Sequence, residues 1–270
     1  MHSAPITTAM LSSVIPFDPR RIGRAHTLAF AAAWVGLAVL AWALAPVRTL
    51  PGPGEVASAL SRLWWEGGLG PELFQTVRLI LEATLISTAL SLGVAWSVTI
   101  PALRPLVRGL SKLRFLGLTG LVFPLTLATG GGHGLKVALL VFGMSVFLVT
   151  QVARIVDEIP RAELDLLRVL GASRARTMWE VVVRGTLDKT LDAVRQNVAM
   201  GWSMITMVEG ISRAEGGLGA MLLNQNKHFR LAEVYAILAV VLVVGLLIDL
   251  GMGALEAALC PHARLVRNDS

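Results

Sequence analysis

The sequence predicts an all-α membrane protein with six transmembrane helices. Of its 270 residues, 54% are hydrophobic and only 16% are charged, with a mean hydropathy of +0.67, whereas a soluble domain has about 25% charged residues. Six apolar stretches are long enough to cross a bilayer, and the basic residues are distributed unequally between the loops on its two sides. The single cysteine, Cys260, excludes an intramolecular disulfide framework.

A helical span needs roughly 20 mostly apolar residues, because about 30 Å of hydrocarbon is crossed at about 1.5 Å per residue. The first stretch follows basic residues, as a secretory signal does, but it is longer than a signal core and lacks a small-x-small cleavage site, so we interpret it as an uncleaved span. The third is interrupted by Pro124, and the fifth is less hydrophobic and rich in methionine. The predicted spans are Leu28 to Pro46, Phe74 to Ile100, Leu113 to Thr129, Leu135 to Val152, Val194 to Ile211 and Leu231 to Leu259.

The basic residues predict the orientation of these spans. With the amino terminus in the cytoplasm, three basic residues precede the first span, four lie from Arg104 to Arg114, eight lie from Arg154 to Arg195, and two follow the sixth span, which makes 17 of the 24. The outside segments hold six and the second span holds Arg78. This asymmetry follows the positive-inside rule. It also explains the net charge of +6 without nucleic acid, because the charge forms no single patch with interleaved aromatic residues.

The prediction divides the chain into a flexible cytoplasmic tail (1–26), a transmembrane domain (27–261) and a second cytoplasmic tail (262–270). Within the domain, the loop 153–193 is the one extended polar region, with seven basic and seven acidic residues, and an eighth basic residue, Arg195, follows it directly. Pro160 and the acidic residues after it favour a helix start, Gly171 ends that helix, and Ser173 begins another. We therefore expect two short helices joined by a glycine turn. The first is expected to bury an apolar edge formed by Leu164, Leu167, Val169 and Leu170.

This hairpin resembles the cytoplasmic coupling loop of ABC importer permeases, in the group that transports nitrate, sulfonate, taurine and bicarbonate. Gly171-Ala172-Ser173-Arg174 matches the family pattern, whereas its Glu-Ala-Ala triplet is replaced by Asp165-Leu166-Leu167 and the prolines expected near Arg184 and Asp188 are absent. The residues 50–56 (Leu-Pro-Gly-Pro-Gly-Glu-Val), the residues 216–219 (Gly-Gly-Leu-Gly), Glu209 and Asp249 also sit where that group has such residues. The alternative is a generic amphipathic cytoplasmic hairpin.

The resemblance implies a six-span type-I ABC importer permease fold in a bacterial inner membrane, with both termini in the cytoplasm. It implies a subunit that forms the pathway for a small polar solute, an anion such as nitrate, bicarbonate or a sulfonate. The implied partners are cytoplasmic ATPase subunits, which bind the ATP and magnesium, a second permease copy or paralogue, an extracytoplasmic solute-binding protein and membrane lipid. The chain itself is expected to hold no cofactor and to catalyse no reaction. The residues that the resemblance assigns to ATPase coupling, within a helix at about Ala162 to Ser173, are Glu163, Asp165, Leu167, Gly171, Ala172, Ser173 and Arg174.

Four charged residues are predicted at membrane depth, where each costs on the order of 3 kcal/mol. Arg78 and Glu82 are four residues apart on one helical face, so we expect them to form a structural ion pair. Glu209 and Asp249 are near opposite ends of their spans, so we expect each to lie separately at a wet interface.

A polar, methionine-rich stripe on the fifth span predicts either a solute pathway or helix packing. Thioethers form an adaptable wall, and amides and hydroxyls replace part of a solute's hydration. The same small and polar residues also permit close helix contacts, so both interpretations stay open. Gln196, Ser203 and Thr206 lie on the adjoining face. The proposed pathway residues are Asn197, Met200, Ser203, Met204 and Met207, with Gly201 on the same face.

The sequence offers no assembled catalytic or metal site. The glycine-rich residues 129–134 lack the lysine and hydroxyl of a nucleotide-binding loop, and the five histidines are scattered without metal-ligand spacing. Gly143-Met144-Ser145 lacks the closing glycine of a nucleophile elbow, which argues against a membrane enzyme. The remaining alternative is a secondary transporter driven by an ion gradient, with Glu82, Glu209 or Asp249 as proton sites. That class predicts inverted repeats, and no convincing internal repeat is present.

Overall fold

The computed structural model describes residues 24–44, 51–97 and 104–260, and within them every regular element is helical. The predicted tail 262–270, residues 1–23 of the predicted tail 1–26, and the predicted span ends at 45–46 and 98–100 lie outside the described residues. Eleven α-helices are described. They are α1 (Arg24–Leu44), α2 (Pro53–Trp65), α3 (Leu69–Trp96), α4 (Arg104–Lys112), α5 (Leu118–Thr129), α6 (Gly132–Asp157), α7 (Arg161–Val169), α8 (Arg174–Thr177), α9 (Leu187–Ile211), α10 (Leu218–Lys227) and α11 (Leu231–Leu259). Two of them, α4 and α9, are followed by a 3-10 turn.

The chain divides into two units, residues 1–55 and residues 56–270. In the first unit, the indole Nε1 of Trp42 near the end of α1 donates to the carbonyl of Pro51 at 3.1 Å. The backbone N–H of Gly52 donates to the Glu55 carboxylate at 3.1 Å. The first bond holds Pro51 near the last turn of α1, and the second joins Gly52 to the first turn of α2.

The second unit is organised around α3, α6 and α9. Apolar side chains from these three helices form one continuous buried cluster. The helices α3 and α6 pack directly on each other and run in the same direction, and α9 packs against both in the opposite direction. Gly201 on α9 permits the close approach, since a Cβ there would lie 2.6 Å from the Met144 sulfur and 3.0 Å from Ile80. Trp202 ties α9 to α11 by donating from its indole to the Val241 carbonyl at 3.0 Å.

Three helices of the described chain are long and apolar enough to cross a membrane, namely α3, α6 and α11. A fourth is obtained if Val107–Phe115 and Leu118–Thr129 are counted as one broken span. The first and fifth predicted spans fall on α1 and α9, and α9 is the less apolar because it carries polar and charged side chains.

The third span differs from the prediction. Its chain bends by 113° between residue 115 and residue 118, and Pro124, the expected interruption, lies inside α5. The 12 residues of α5 extend only about 18 Å, which is less than the hydrocarbon thickness. The interruption of the third span therefore lies at residues 116–117, and its predicted place at Pro124 is wrong.

Candidate solute pathway and coupling surface

We name the two ends of the second unit by their loops. The hairpin end carries α7 and α8, and the glycine-loop end carries the glycines of 130–132 and 216–217. Because α3, α6 and α9 each run the full distance between these ends, contacts at one end are separated from contacts at the other by the length of a helix.

The hairpin has the two helices and the glycine turn that the sequence predicts. Gly171 adopts φ of +75°, the left-handed conformation that glycine tolerates best, and the N–H of Ala172 donates to the Leu167 carbonyl at 3.0 Å. Ser173 then caps the next helix, since its hydroxyl oxygen accepts the Arg176 N–H at 3.3 Å. The first helix ends at Val169, four residues before the expected end at Ser173.

The predicted buried edge of α7 is wrong for two of its four residues. Leu164 and Leu167 are half-buried, whereas Val169 and Leu170 are 86% and 70% exposed. Leu166 is also exposed, and we call Leu166, Val169 and Leu170 the hairpin patch. Apolar side chains left open beside acidic residues are typical of a surface that contacts another protein. Glu163 and Asp165, two of the predicted coupling residues, are exposed on the same helix.

The hairpin is joined to the core by a π-helical segment, Met178–Arg184, that continues directly from α8. Val182 in this segment is buried in a cluster with Val152 and Val156 of α6 and Val194 of α9. Packed side chains, and not a loose loop, therefore connect the hairpin to α6 and α9.

The predicted pathway residues of α9 do not share one environment. Ser203 and Met207 are exposed, as is Gln196, whereas Met200 and Met204 are half-buried. Asn197 is only 2% exposed, and neither atom of its amide has a hydrogen-bond partner in the described chain. Asn197 therefore lies inside the packed helices of this chain, whereas Ser203 and Met207 lie on the open face of α9.

A cavity of about 430 Å³ opens at the hairpin end between α6, α9 and the turn that follows α4. Three basic side chains line it, Arg114, Arg154 and Lys189, together with one acidic side chain, Asp192. In the described chain none of the three basic groups lies within ion-pair distance of a carboxylate. We call this the basic cavity. The sequence placed all three cations in inside segments, but it gave no sign that they meet.

At the glycine-loop end, Glu209 is buried, with 1% exposure, and both carboxylate oxygens accept hydrogen bonds. Thr76 of α3 donates its hydroxyl at 2.7 Å, and Gly219 of α10 donates its backbone N–H at 2.7 Å. The expected wet interface at Glu209 is therefore wrong. The carboxylate instead binds the first turn of α10, where unpaired N–H groups favour negative charge.

Two further charged residues complete this cluster. Glu72 of α3 accepts the backbone N–H of Gly217, and the buried ammonium of Lys136 donates to the carbonyl of Gly216 at 2.7 Å. Gly216 and Gly217 have positive φ and leave room for these side chains. The loop between α9 and α10 is consequently held by α3, α6 and α9 together. The role of Lys136 was not predicted from the sequence, because its partner Gly216 is 80 positions away in the chain.

The expected ion pair between Arg78 and Glu82 is also wrong. Glu82 Oε2 lies 2.9 Å from Nε2 of His133, at the start of α6, and the exposed Arg78 has no ion pair among the described residues. Because α3 and α6 pack side by side, the Glu82 carboxylate contacts His133 on the neighbouring helix and not a residue of its own helix.

Asp249 on α11 forms a two-point ion pair with Arg195 on α9. Nε and Nη2 of the guanidinium donate to the two carboxylate oxygens, each at 2.7 Å, and Glu256 lies 3.6 Å from Nη1. Asp249 was expected to lie at a wet interface without a charged partner, and that expectation is wrong. Its ion pair with Arg195 instead joins α9 to α11. As the sequence predicted, Asp249 and Glu209 do not meet.

Comparison with known proteins places this architecture in one family. Residues 94–259 match the family described as "Binding-protein-dependent transport system inner membrane component". The chain is 28% identical over 230 residues to the taurine transport system permease protein TauC of Escherichia coli, covering 78% of this chain and 79% of that protein. It is 26% identical over 207 residues to a probable ABC transporter permease protein of Brucella melitensis, covering 74% of this chain and 82% of that one.

Solved structures agree on the fold. A chain of the MetNI methionine ABC transporter in an inward-facing conformation superposes with a TM-score of 0.61 at 15% identity, covering 73% of this chain and 97% of that chain. A chain of an amino acid ABC transporter with histidines gives a TM-score of 0.61 at 17% identity, covering 74% and 97%. The fold is that of the type-I ABC importer permeases. The chain belongs to the family of binding-protein-dependent transport system inner membrane components, the membrane-spanning permeases of ABC importers.

Proposed function

We propose that the chain carries a small anion, such as nitrate, bicarbonate or a sulfonate, across a bacterial inner membrane in an assembled ATP-driven importer. Two cytoplasmic ATPase subunits bind the ATP and magnesium, an extracytoplasmic binding protein delivers the solute, and a second copy or a paralogue completes the pathway. The hairpin end and both termini face the cytoplasm in this arrangement. Family membership and the distribution of basic residues support it.

The hairpin patch is the observation that carries this proposal. Leu166, Val169 and Leu170 are exposed on a helix that also exposes Glu163 and Asp165, so the helix faces water and not lipid. Leaving apolar area in water costs about 25 cal/mol per Å². A protein partner that covers the patch removes this cost, and an ATPase subunit is the partner that the family implies.

The connection from the patch to the core supplies the coupling. When ATP draws two ATPase subunits together, each hairpin follows its subunit, and the Val182 cluster moves α6 and α9 with it. Nucleotide thereby shifts the population between inward-facing and outward-facing states, because the ATPases bind ATP more tightly in one of them. The exposed face of α9, with Ser203 and Met207, lines the pathway that opens and closes.

The charge of the basic cavity supports an anionic solute. Arg114, Arg154 and Lys189 against Asp192 leave a formal excess of two positive charges at one mouth of the pathway. A concave site lined by one sign of charge raises the local concentration of oppositely charged solutes. The relative from E. coli is named as a taurine permease, which also favours an oxyanion.

Association with the ATPase tests the proposal. The chain is co-expressed with its ATPase subunit, and the complex is purified through a tag on the permease. The double substitution Val169→Ser and Leu170→Ser should reduce the ATPase recovered at least about tenfold, because both residues lose their apolar contacts with the partner. Trp65→Ser is the matched control, since Trp65 is 80% exposed but lies just before the start of α3, at the other end of the unit. Equal recovery from both variants would contradict the proposal.

A further inference from the structure

An apolar groove runs between α9 and α11, on a different face of α9 from the proposed pathway. Its volume is about 380 Å³. Leu242 and Leu246 belong to its α11 wall, and both side chains are exposed. Trp202 belongs to its α9 wall, and the indole nitrogen already donates to the Val241 carbonyl at 3.0 Å. This part of the groove therefore offers apolar surface without a free polar group, which suits a hydrocarbon chain.

The hairpin end of this groove carries more negative than positive charge. Of the described residues that line the groove, Arg195 is the one cation, and Asp249 accepts hydrogen bonds from two of its guanidinium nitrogens. Glu256, one turn beyond the lining residue Met252, reaches only the third nitrogen, at 3.6 Å. Among the described residues, two carboxylates therefore share one guanidinium.

The charge of Glu256 is thus only partly compensated. The residue is half-buried in the most apolar helix of the described chain, and a carboxylate there is stable only beside a cation or in water. The Arg195 guanidinium cannot neutralise it fully, because its two-point contact with Asp249 is the closer one. A ligand that fits both parts of the groove has a hydrocarbon chain and a cationic head.

We propose that this groove binds one molecule of phosphatidylethanolamine. An acyl chain lies along the apolar walls of α9 and α11, and the ammonium group donates to the Glu256 carboxylate at the hairpin end. Phosphatidylglycerol fits less well, because it has no cation and its phosphate adds a negative charge beside two carboxylates. Phosphatidylcholine carries a cation, but its trimethylated nitrogen has no N–H group to donate.

Lipid titration tests the proposal. The full chain is purified in detergent, stripped of lipid and titrated with each of these three lipids, all with identical acyl chains. Native mass spectrometry counts the lipids bound. We expect phosphatidylethanolamine to fill one saturable site at least about tenfold more tightly than phosphatidylglycerol, with phosphatidylcholine between them. Equal affinity for phosphatidylethanolamine and phosphatidylglycerol would overturn the inference.

A substitution at the charged end tests the place of the headgroup. Glu256→Gln keeps the size of the side chain but removes its charge, so most of the preference for phosphatidylethanolamine over phosphatidylglycerol should disappear. Glu180→Gln is the matched control, because Glu180 pairs with Arg184 outside the groove at 3.3 Å. A preference that survives Glu256→Gln would overturn the assignment of the headgroup.

A substitution in the apolar part tests the place of the acyl chain. Ala199 lines the groove from α9 and is exposed, so Ala199→Phe narrows the groove and should weaken all three lipids by a similar factor. Ala89→Phe, at an exposed position on α3, is the matched control. Unchanged lipid affinity in Ala199→Phe would overturn the assignment of the chain. The two variants alter different helices, so a folding defect in one leaves the other informative.

A second copy of the chain is the competing occupant of the groove. In that case Ala199→Phe would separate the two copies, which the mass of the complex reports, and would leave the number of bound lipids unchanged. That result would overturn the inference. The titration needs neither ATP nor a solute, so its outcome is independent of the proposed transport function.

Discussion

The carboxylate of Glu209, near the end of α9, accepts the backbone N–H of Gly219 in α10 at 2.7 Å. Its second oxygen accepts the hydroxyl of Thr76, so one buried side chain connects three helices. The contact lies directly beside Gly216 and Gly217 in the loop 212–217, which have no side chains of their own with which to anchor it. Carboxylates and the Lys136 ammonium satisfy backbone groups that water would otherwise have to reach.

Glu209→Gln should lower the free energy of unfolding by about 2 kcal/mol. The amide has the same size, but its NH2 group replaces one acceptor, which leaves a buried donor unpaired at a typical cost of about 1–3 kcal/mol. Denaturant unfolding in detergent measures the change. Glu215→Gln, at an exposed position in the same loop, should change stability by less than about 0.5 kcal/mol. Similar effects of the two substitutions would contradict the structural role of Glu209.

Arg195 and Asp249 should be energetically coupled. Their two-point contact joins α9 to α11, and both side chains keep partial access to solvent, at 30% and 43% exposure. We expect a double-mutant cycle with Arg195→Gln and Asp249→Asn, followed by thermal unfolding, to give a clear coupling energy. The cycle for Arg184 and Glu180, a single-contact pair on one helix at 3.3 Å, should give a smaller one. A larger coupling in the control pair would contradict the structure.

Gly171→Val should uncouple ATP hydrolysis from uptake. A Cβ at this position meets no atom within 4 Å, so the effect comes from the backbone alone, which adopts φ of +75°. The left-handed conformation costs a residue with a Cβ roughly 1–2 kcal/mol, and the cost is highest for a β-branched residue. Gly171→Asn should retain most of the uptake per ATP hydrolysed, because asparagine tolerates this region. Equal uptake per ATP in the two variants would contradict the importance of the turn.

Cysteine labelling should separate the two faces of α9. In a Cys260→Ser background, Ser203→Cys and Met207→Cys should react with a membrane-impermeant, hydrophilic maleimide, and Asn197→Cys should not. Leu246→Cys on α11 is a control for lipid exposure, because Leu246 is 56% exposed but lies in the most apolar helix. If Ser203→Cys and Met207→Cys react no faster than Leu246→Cys, this face does not line a water-filled pathway.

The substitution Cys260→Ser removes a thiol that reacts slowly at neutral pH. Burial raises the pKa of Cys260, and nearby Asp188 and Glu256 raise it further. A raised thiol pKa means less thiolate at neutral pH, so the wild-type protein should label slowly and faster as the pH increases.

The sequence predicted those parts of the fold that depend on local patterns. Long apolar stretches identified the helices, and Gly171 followed by Ser173 identified the turn of the hairpin, because a left-handed residue and a helix cap are both local requirements. The bend of 113° before α5 was missed. The residues around Gly117 continue an apolar run, so nothing in the local pattern indicates a break.

The charged clusters could not be predicted because their members are distant in the chain. Thr76 and Glu209 are 133 positions apart, and Arg195 and Asp249 are 54 apart. Helical spacing suggested that Glu82 pairs with Arg78, but spacing within one helix cannot show that His133 lies opposite on α6. The exposed Val169 and Leu170 were misjudged for a related reason. Apolar periodicity predicts a face that is buried somewhere, and it does not distinguish burial in the same chain from burial against a partner.

The central claim is that this chain uses ATP hydrolysed by partner subunits to move its solute. The most direct measurement is uptake of 2-aminoethanesulfonate, nitrate and bicarbonate into proteoliposomes that contain the chain, its ATPase subunits and its binding protein. We predict that uptake of at least one of these solutes requires ATP on the side of the hairpin end and continues when proton and sodium gradients are collapsed. Uptake by the chain alone, driven by an ion gradient and indifferent to ATP, would contradict the account.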